Sequence, residues 1–111
     1  MAKGDHLGEF EQIVLLALAR FDDAYGVQIF DEIQRATGRE SSLTAVYMTL
    51  ARLEEKGLVA STKGASTPQR GGRAKRFFQL APAGAEALRQ TRHTLEKLWE
   101  GARLHPLLED V

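Results

Sequence analysis

A cluster of basic side chains without acidic neighbours is the strongest chemical signal in this 111-residue sequence. Residues 61–80 carry five basic and no acidic side chains, although the whole chain has fifteen of each charge and no net charge at pH 7. Cationic groups concentrated in one segment can neutralise phosphates, so the cluster predicts a polyanionic partner. A solvated loop with uneven charge is the alternative explanation. The five residues are Lys63, Arg70, Arg73, Lys75 and Arg76.

The sequence contains no pattern typical of an enzyme or a metalloprotein. The absence of cysteine excludes disulfides, thiolate metal sites and a cysteine nucleophile. His6, His93 and His105 lack the i, i+4 spacing of a zinc-binding pair, and neither a glycine-rich phosphate loop nor a nucleophile elbow occurs. We therefore expect no catalytic residues, no metal site and no cofactor.

The apolar segments predict a protein without a membrane partner. The longest strongly apolar run, residues 13–19, has seven residues, whereas a membrane helix needs about 18 or more. No basic and apolar leader with a cleavage site is recognisable. Together with the absence of cysteine, these features predict a cytoplasmic location.

Hydrophobic periodicity predicts three helices, a β-hairpin and a fourth, longer helix. This order is typical of a winged helix-turn-helix. We therefore expect a mainly α (α+β) fold with a two-stranded β-wing and a long C-terminal dimerisation helix. The expected DNA-binding domain is residues 1–80, and the dimerisation helix and tail are residues 81–111 of the same structural unit. The predicted helices cover residues 7–21, 24–37, 43–56 and 82–104, and the strands cover residues 58–63 and 75–80.

The predicted second helix follows two acidic residues, Asp22 and Asp23, that can cap its N-terminus. Gly38 is expected to end it. Its inward stripe is predicted to consist of Val27, Phe30, Ile33 and Gln34.

The predicted third helix has two distinct faces and can be capped by Ser41 or Ser42. The first face repeats apolar residues at helical spacing and should pack on the core; it consists of Leu43, Val46, Leu50 and Leu53. The second face mixes polar, aromatic and cationic groups, which indicates a contact surface; it consists of Thr44, Tyr47, Met48 and Arg52.

In helix-turn-helix proteins the second helix of the motif enters the major groove of double-stranded DNA and its first residues reach the base edges. Arg52 and the Tyr47 hydroxyl are better placed for phosphates. Basic residues of the hairpin, Arg70 and Arg73 above all, can contact phosphates or a narrow minor groove. The candidate DNA-binding residues are Ser42, Thr44, Ala45, Tyr47, Met48, Arg52, Lys63, Arg70, Arg73 and Lys75.

Arg76 is excluded from this set because it shares a strand face with Phe78 and Leu80. Its guanidinium is expected to pair with an acid of the first or second helix.

Four segments between residue 7 and about residue 104 carry a family pattern. They are AYGVQIFDEI at 24–33, SLTAVYMTLARLEEKGLV at 42–59, GGRAKRFFQL at 71–80, and the helix opening with Pro82, Gly84 and Leu88. This pattern resembles the PadR-type transcriptional regulators. The resemblance implies a dimeric winged-helix transcription factor, commonly a repressor released by a small ligand, of the compact branch with one terminal helix.

Two positions depart from the usual family pattern. Met48 stands where a proline commonly follows the tyrosine, which affects base reading. Ala81 stands where a threonine commonly caps the last helix, and the missing cap should cost about 1 kcal/mol.

The last predicted helix is longer than the unit it follows, so we expect a second copy of the chain to cover it. The alternative is a helix folded back on its own domain. Ile13 and Leu16 give the first helix a second apolar face, which also suggests a partner chain. The candidate interface residues are Leu88, Leu95, Leu98, Trp99 and Ala102.

Trp99, the only tryptophan, is a candidate for binding a small aromatic effector at the two-fold axis. Phe10 and Val14 are the candidate walls of that cleft. Simple packing of Trp99 in the interface is the alternative. For the whole protein, the alternative to a DNA-binding regulator is a winged-helix protein-interaction module that does not bind DNA.

Overall fold

The computed structural model describes residues 6–66 and 74–108. The helices and hairpin follow the predicted order, and the winged helix-turn-helix is confirmed. A two-residue strand that the sequence did not predict precedes the second helix. The elements are α1 (Glu9–Leu18), β1 (Ala24–Tyr25), α2 (Gly26–Thr37), α3 (Leu43–Glu55), β2 (Val59–Ser66), β3 (Ala74–Leu80), α4 (Pro82–Gly101) and α5 (His105–Leu108).

Helix α3 packs on the core through the predicted apolar stripe. Val46, Leu50 and Leu53 have no exposed surface. Ser42 is the N-cap, and its Oγ accepts a hydrogen bond from the Ala45 N–H at 2.9 Å. Helix α3 contacts α1, α2 and β2, and because its apolar stripe is the buried side, the opposite face is left to solvent.

Helix α2 begins two residues later than predicted because the preceding residues are extended in β1. Its N-cap is Tyr25, whose N–H donates to Oε1 of Gln28 at 3.0 Å, so Asp22 and Asp23 do not cap the helix. Gly38 ends it as predicted, with a φ of 70° in the left-handed region.

The inward stripe of α2 differs from the prediction. Ile29 and Ile33, four residues apart, are buried, and Phe30 packs beside them. Val27 is 39% exposed and Gln34 is exposed, so both assignments were wrong. The stripe runs through Ile29 and Ile33, which turns Val27 outward.

Helix α1 is shorter than predicted and contributes Val14 and Leu18 to the core. Its second apolar face lies outside the buried core, since Ile13 is only partly buried and Leu16 is 54% exposed.

The antiparallel sheet has the strand order β1-β3-β2, one strand more than the predicted wing. Side chains alternate between its faces. Phe78 of β3 is buried in the core, whereas Phe77 and Lys75 lie on the other face. Arg70 and Arg73, predicted at the tip of the wing, lie outside the described residues.

Helix α4 begins at Pro82, and Ala81 at its N-cap provides no side-chain hydrogen bond. Gly84 is the only buried residue of α4. A Cβ at Gly84 would collide with the carbonyl oxygen of Leu58 and lie 2.8 Å from Cδ1 of Leu80. A glycine is therefore needed where α4 crosses the start of the wing.

The end of α4 corrects the predicted boundary at Leu104. The helix stops at Gly101, and Ala102 is an extended C-cap with a ψ of 136°. Pro106 explains the break, because in a continuous helix its ring would clash with the carbonyl of Ala102 and it has no N–H to donate. Ala102 is thus outside the helix to which it was assigned. Among the described residues, no helix has the length and apolarity needed to span a membrane.

Candidate nucleic-acid interface

The outer face of α3 presents the predicted mixture of side chains to solvent. Thr44 and Arg52 are exposed, Tyr47 is 42% exposed and Met48 is 58% exposed. Ala45 is half-buried, so only part of its surface can meet a ligand. The first of these side chains, Thr44, belongs to the second residue of α3. This position near the N-terminus is expected for a helix that enters a groove with its N-terminal end.

Tyr47 is exposed but not free, because its ring lies against the first residue of α2. A Cβ built on Gly26 would be 2.7 Å from the Tyr47 Oη and closer still to two ring carbons. The glycine therefore makes room for the ring of Tyr47 at the start of α2. This contact was not predicted from the sequence, although the YG pair at 25–26 and Tyr47 both lie in segments that resemble the PadR family.

The outer face of the wing base carries a small cluster of aromatic and cationic groups. The ring of Tyr25 meets the ring of Phe77 edge to face, with 5.7 Å between centroids. The ammonium of Lys75 lies 4.0 Å from the centroid of Tyr25. Lys75 is thus held at the junction of β1 and α2, whereas Lys63 of β2 is exposed.

Arg76 extends along the opposite face of the sheet, toward α3. Its Nη1 donates to Oγ of Ser61 at 2.8 Å, and the Ser61 hydroxyl donates to Oε2 of Glu54 at 2.5 Å. The predicted partner, an acid of the first or second helix, was wrong. Glu54 lies on α3, which contacts β2 and directly precedes it in the chain.

An ion pair attaches the C-terminal end of α3 to α1. Nζ of Lys56 lies 2.9 Å from Oε2 of Glu11, a carboxylate with only 11% of its side chain exposed. Burial raises the pKa of Glu11, but the Gly8 N–H, the Lys56 ammonium and the charge of Arg52 outweigh burial and leave the pKa below its ordinary value. The sequence signal was Glu11 at the third position of a helix, where it can receive the N-cap N–H.

The acidic residue Glu32 of α2 is neutralised by two cations. Arg35 donates two hydrogen bonds to its carboxylate, and Nε of Arg20 lies 2.8 Å from Oε2. The hydrogen bonds from Arg35 lower the pKa of Glu32. Neutralisation by Arg20 and Arg35 reduces the repulsion that this helix would exert on a polyanion.

The candidate effector residues occupy different environments. Trp99 is 63% exposed on α4, Phe10 is partly buried with the Arg39 guanidinium 5.8 Å from its ring centroid, and Val14 has no exposed surface. Val14 was therefore wrongly assigned as a cleft wall, because its side chain is buried in the core. An open groove of about 790 Å³ between the start of α1 and α4 is lined by none of the three; it includes Leu7, Gln12, Arg89, His93 and Leu95.

The candidate dimer residues divide into two groups. Leu88 is half-buried against the core of its own chain, so only part of its surface is left for a second copy. Leu95, Leu98 and Trp99 are 43%, 68% and 63% exposed, farther along α4. Within the described residues, no group of three potential metal ligands comes together.

Comparisons with known proteins agree with this geometry. A family model described as the transcriptional regulator PadR-like family matches residues 14–90. The transcriptional regulator Rv3488 of Mycobacterium tuberculosis is 36% identical over 84 residues, which are 76% of this chain and 74% of that protein.

Solved structures show the same architecture. A transcriptional regulator from Clostridium thermocellum superposes with a TM-score of 0.68 at 25% identity, covering 81% of this chain and 82% of that one. A PadR family transcription regulator from Clostridium difficile R20291 has a TM-score of 0.69 at 21% identity, covering 91% of this chain and 99% of that one.

The fold and these relatives define a winged-helix transcriptional regulator, not an enzyme. The chain belongs to the PadR-like family. The family resemblance seen in the sequence is thereby confirmed.

Proposed function

We propose that this regulator is a sequence-specific repressor that binds an inverted-repeat operator as a homodimer and is released by a small aromatic ligand. The observation that carries the proposal is the solvent-facing surface of α3, held by a buried stripe and flanked by the wing. DNA binding is assigned to residues 1–80 and dimerisation to residues 81–111.

The first turns of α3 are assigned to base reading. Thr44 and Met48 project from the exposed face and can reach base edges in the major groove, and Ala45 can contact a thymine methyl with its exposed part. Ser42 already accepts a hydrogen bond from the helix, so its hydroxyl proton remains for a phosphate or a base.

Phosphate binding is assigned to groups around this helix. The Tyr47 hydroxyl and the Arg52 guanidinium lie on the exposed face of α3, and Lys63 and Lys75 lie on the wing. Arg70 and Arg73, outside the described residues, complete the predicted set. Cations supply affinity that is independent of sequence and decreases with salt.

A homodimer is supported by the apolar surface at the end of the chain. Six large apolar side chains of α4 and the segment after it are at least 39% exposed. A second copy related by a two-fold axis can cover such a surface, and two recognition helices then require half-sites about 10 bp apart. The six residues are Leu95, Leu98, Trp99, Leu104, Leu107 and Leu108.

The effector assignment rests on Trp99, whose ring is exposed on the same surface. In a dimer, two such rings can enclose a flat apolar ligand, with Phe10 as a wall. Quenching of tryptophan fluorescence by flat aromatic compounds tests this assignment, and an unchanged signal across a broad panel would contradict it.

The first test is titration of fluorescent duplexes with the purified protein at two salt concentrations. One duplex carries the DNA upstream of the protein's own gene, and the other is random. We expect tighter binding to the upstream DNA and a steep loss of affinity with salt. Absence of binding to either duplex at low salt, by folded protein, would favour the protein-interaction module instead.

A further inference from the structure

The glycine at the start of α2 is not required by the backbone. The described glycines with positive φ are Gly38 and Gly57, and Gly26 is not among them. An alanine could therefore adopt the backbone conformation of Gly26. What excludes a side chain there is the ring of Tyr47, which occupies the space of a Cβ.

The contact between Gly26 and Tyr47 lies at the surface. Gly26 is buried beneath the ring, yet Tyr47 itself stays 42% exposed and lies on the same face of α3 as Thr44 and Met48. A tyrosine that only filled the core would be covered. Here one side of the ring rests on the backbone of α2 while the rest remains open to a ligand of α3.

This support changes what the hydroxyl can do. A free tyrosine on a helix surface samples several rotamers, and ordering them on binding costs free energy. Contact with the α2 backbone restricts the ring to fewer rotamers in the free protein. The hydroxyl is therefore oriented before DNA binds.

We propose that Gly26 is a positioning residue for DNA binding, because its missing side chain lets the Tyr47 ring rest on α2 and aims the hydroxyl at a DNA phosphate. This inference rests on the proposed function. Gly26 itself touches no DNA and acts through Tyr47.

The decisive variant is Gly26→Ala. Its Cβ would meet the far end of a flexible side chain, so the ring can swing away while the fold is kept. We expect affinity for a random duplex at low salt to fall about ten- to a hundredfold for each displaced Tyr47, the value of one hydrogen bond to a charged group. Tyr47→Phe, which keeps the ring and removes the hydroxyl, should reduce affinity as much.

A double-mutant cycle separates positioning from general damage to the fold. In a Tyr47→Ala background, Gly26→Ala should cause no further loss of affinity. The slope of log affinity against log salt should stay constant in all these variants, because a neutral hydroxyl releases no counterion. Gly101→Ala is the control, since a Cβ there meets nothing within 4 Å and its φ is not positive; thermal unfolding confirms that each variant is folded.

Two results would overturn the inference while leaving DNA binding intact. One is full affinity in folded Gly26→Ala, and the other is an equal loss from Gly26→Ala with and without Tyr47. A wild-type protein that binds no duplex would instead refute the proposed function, and the positioning role with it.

Discussion

Helices α3 and α4 both expose side chains, but they differ in what lies behind those side chains. Helix α3 has 13 residues, of which four are buried, and it is capped by Ser42. Helix α4 has 20 residues, of which only Gly84 is buried, and its N-cap has no side-chain bond. The groups that α3 exposes stand on a fixed support, whereas the second half of α4 exposes apolar groups that no described part of its own chain covers.

The chemistry of the two exposed surfaces follows the same division. Thr44, Tyr47 and Arg52 can donate hydrogen bonds to a polar, charged partner. Leu95, Leu98 and Trp99 gain free energy chiefly against another apolar surface. The two helices are therefore suited to different partners, which under the proposed function are DNA for α3 and a second copy for α4.

The largest expected effect is the removal of a buried side chain from α3. Leu50→Ala should lower the free energy of unfolding by about 2–5 kcal/mol, because it leaves a cavity where the leucine had no exposed surface. Denaturant unfolding at several protein concentrations measures this destabilisation, which should not depend on concentration.

Leu98→Ala is the matched substitution in α4. Leu98 is 68% exposed, so its removal should raise the dissociation constant of the dimer. The unfolding midpoint should then fall at protein concentrations at which the wild type is dimeric, but not at lower ones. Equal, concentration-independent destabilisation in Leu50→Ala and Leu98→Ala would remove the distinction between the two helices.

The next effect concerns the one place where α4 is tightly packed. Gly84→Ala should cost about 1–3 kcal/mol of stability, since the new Cβ meets the carbonyl of Leu58, which cannot rotate away as a side chain can. Gly101→Ala, at the open end of the same helix, should be neutral or slightly stabilising. Similar thermal unfolding midpoints for the two variants would show that α4 tolerates a shift at both ends.

Lowering the pH should destabilise the attachment of α3 to α1, because protonation of Glu11 removes its ion pair with Lys56. The pKa of Glu11 lies below its ordinary value of 4.5, so its ionised form stabilises the fold above about pH 4.5, and this contribution disappears as the pH falls through the lowered pKa. Glu11→Gln should lower the free energy of unfolding by about 1–2 kcal/mol at neutral pH. It should also make the free energy of unfolding depend less steeply on pH in the acid range.

Glu9→Gln provides the control for this titration. Glu9 is also paired, with Arg39, but 76% of its side chain is exposed, so its removal should change stability little. An acid branch that remains as steep in Glu11→Gln as in the wild type would assign the titration to another group.

The sequence predicted the local features that hold α3 in place better than it predicted the contacts between α3 and other elements. The Ser42 cap, the Val46, Leu50 and Leu53 stripe and the glycine stop after α2 are local signals, each readable from spacing or from one residue type. The contact of Gly26 with Tyr47 joins residues of two elements, and no local pattern reports such a distance.

The errors have the same origin. Val27 was assigned inward because an apolar residue fits a helical stripe, but the stripe that packs on the core runs through Ile29 and Ile33 and leaves Val27 39% exposed. Arg76 was assigned to the wrong helix because strand alternation gives the face of a side chain and not the element lying beneath it. Val14 was assigned to a ligand cleft because the sequence does not show which face of α1 packs on the core. In the structure Val14 lies on the packed face and has no exposed surface.

The smallest expected effect is on the salt dependence of DNA binding, and it bears directly on the two helices. Lys63 lies on the strand that follows α3 and is exposed, so Lys63→Gln should reduce the slope of log affinity against log salt by about 0.9 for each phosphate that is no longer neutralised. Lys97→Gln removes an exposed cation from α4 and should leave the slope unchanged. Since both variants remove one positive charge, a general decrease in attraction would reduce both slopes alike and would contradict a DNA interface confined to α3 and the wing. A lower slope in Lys63→Gln alone would place the phosphate backbone beside α3 and leave the surface of α4 to a partner without phosphate.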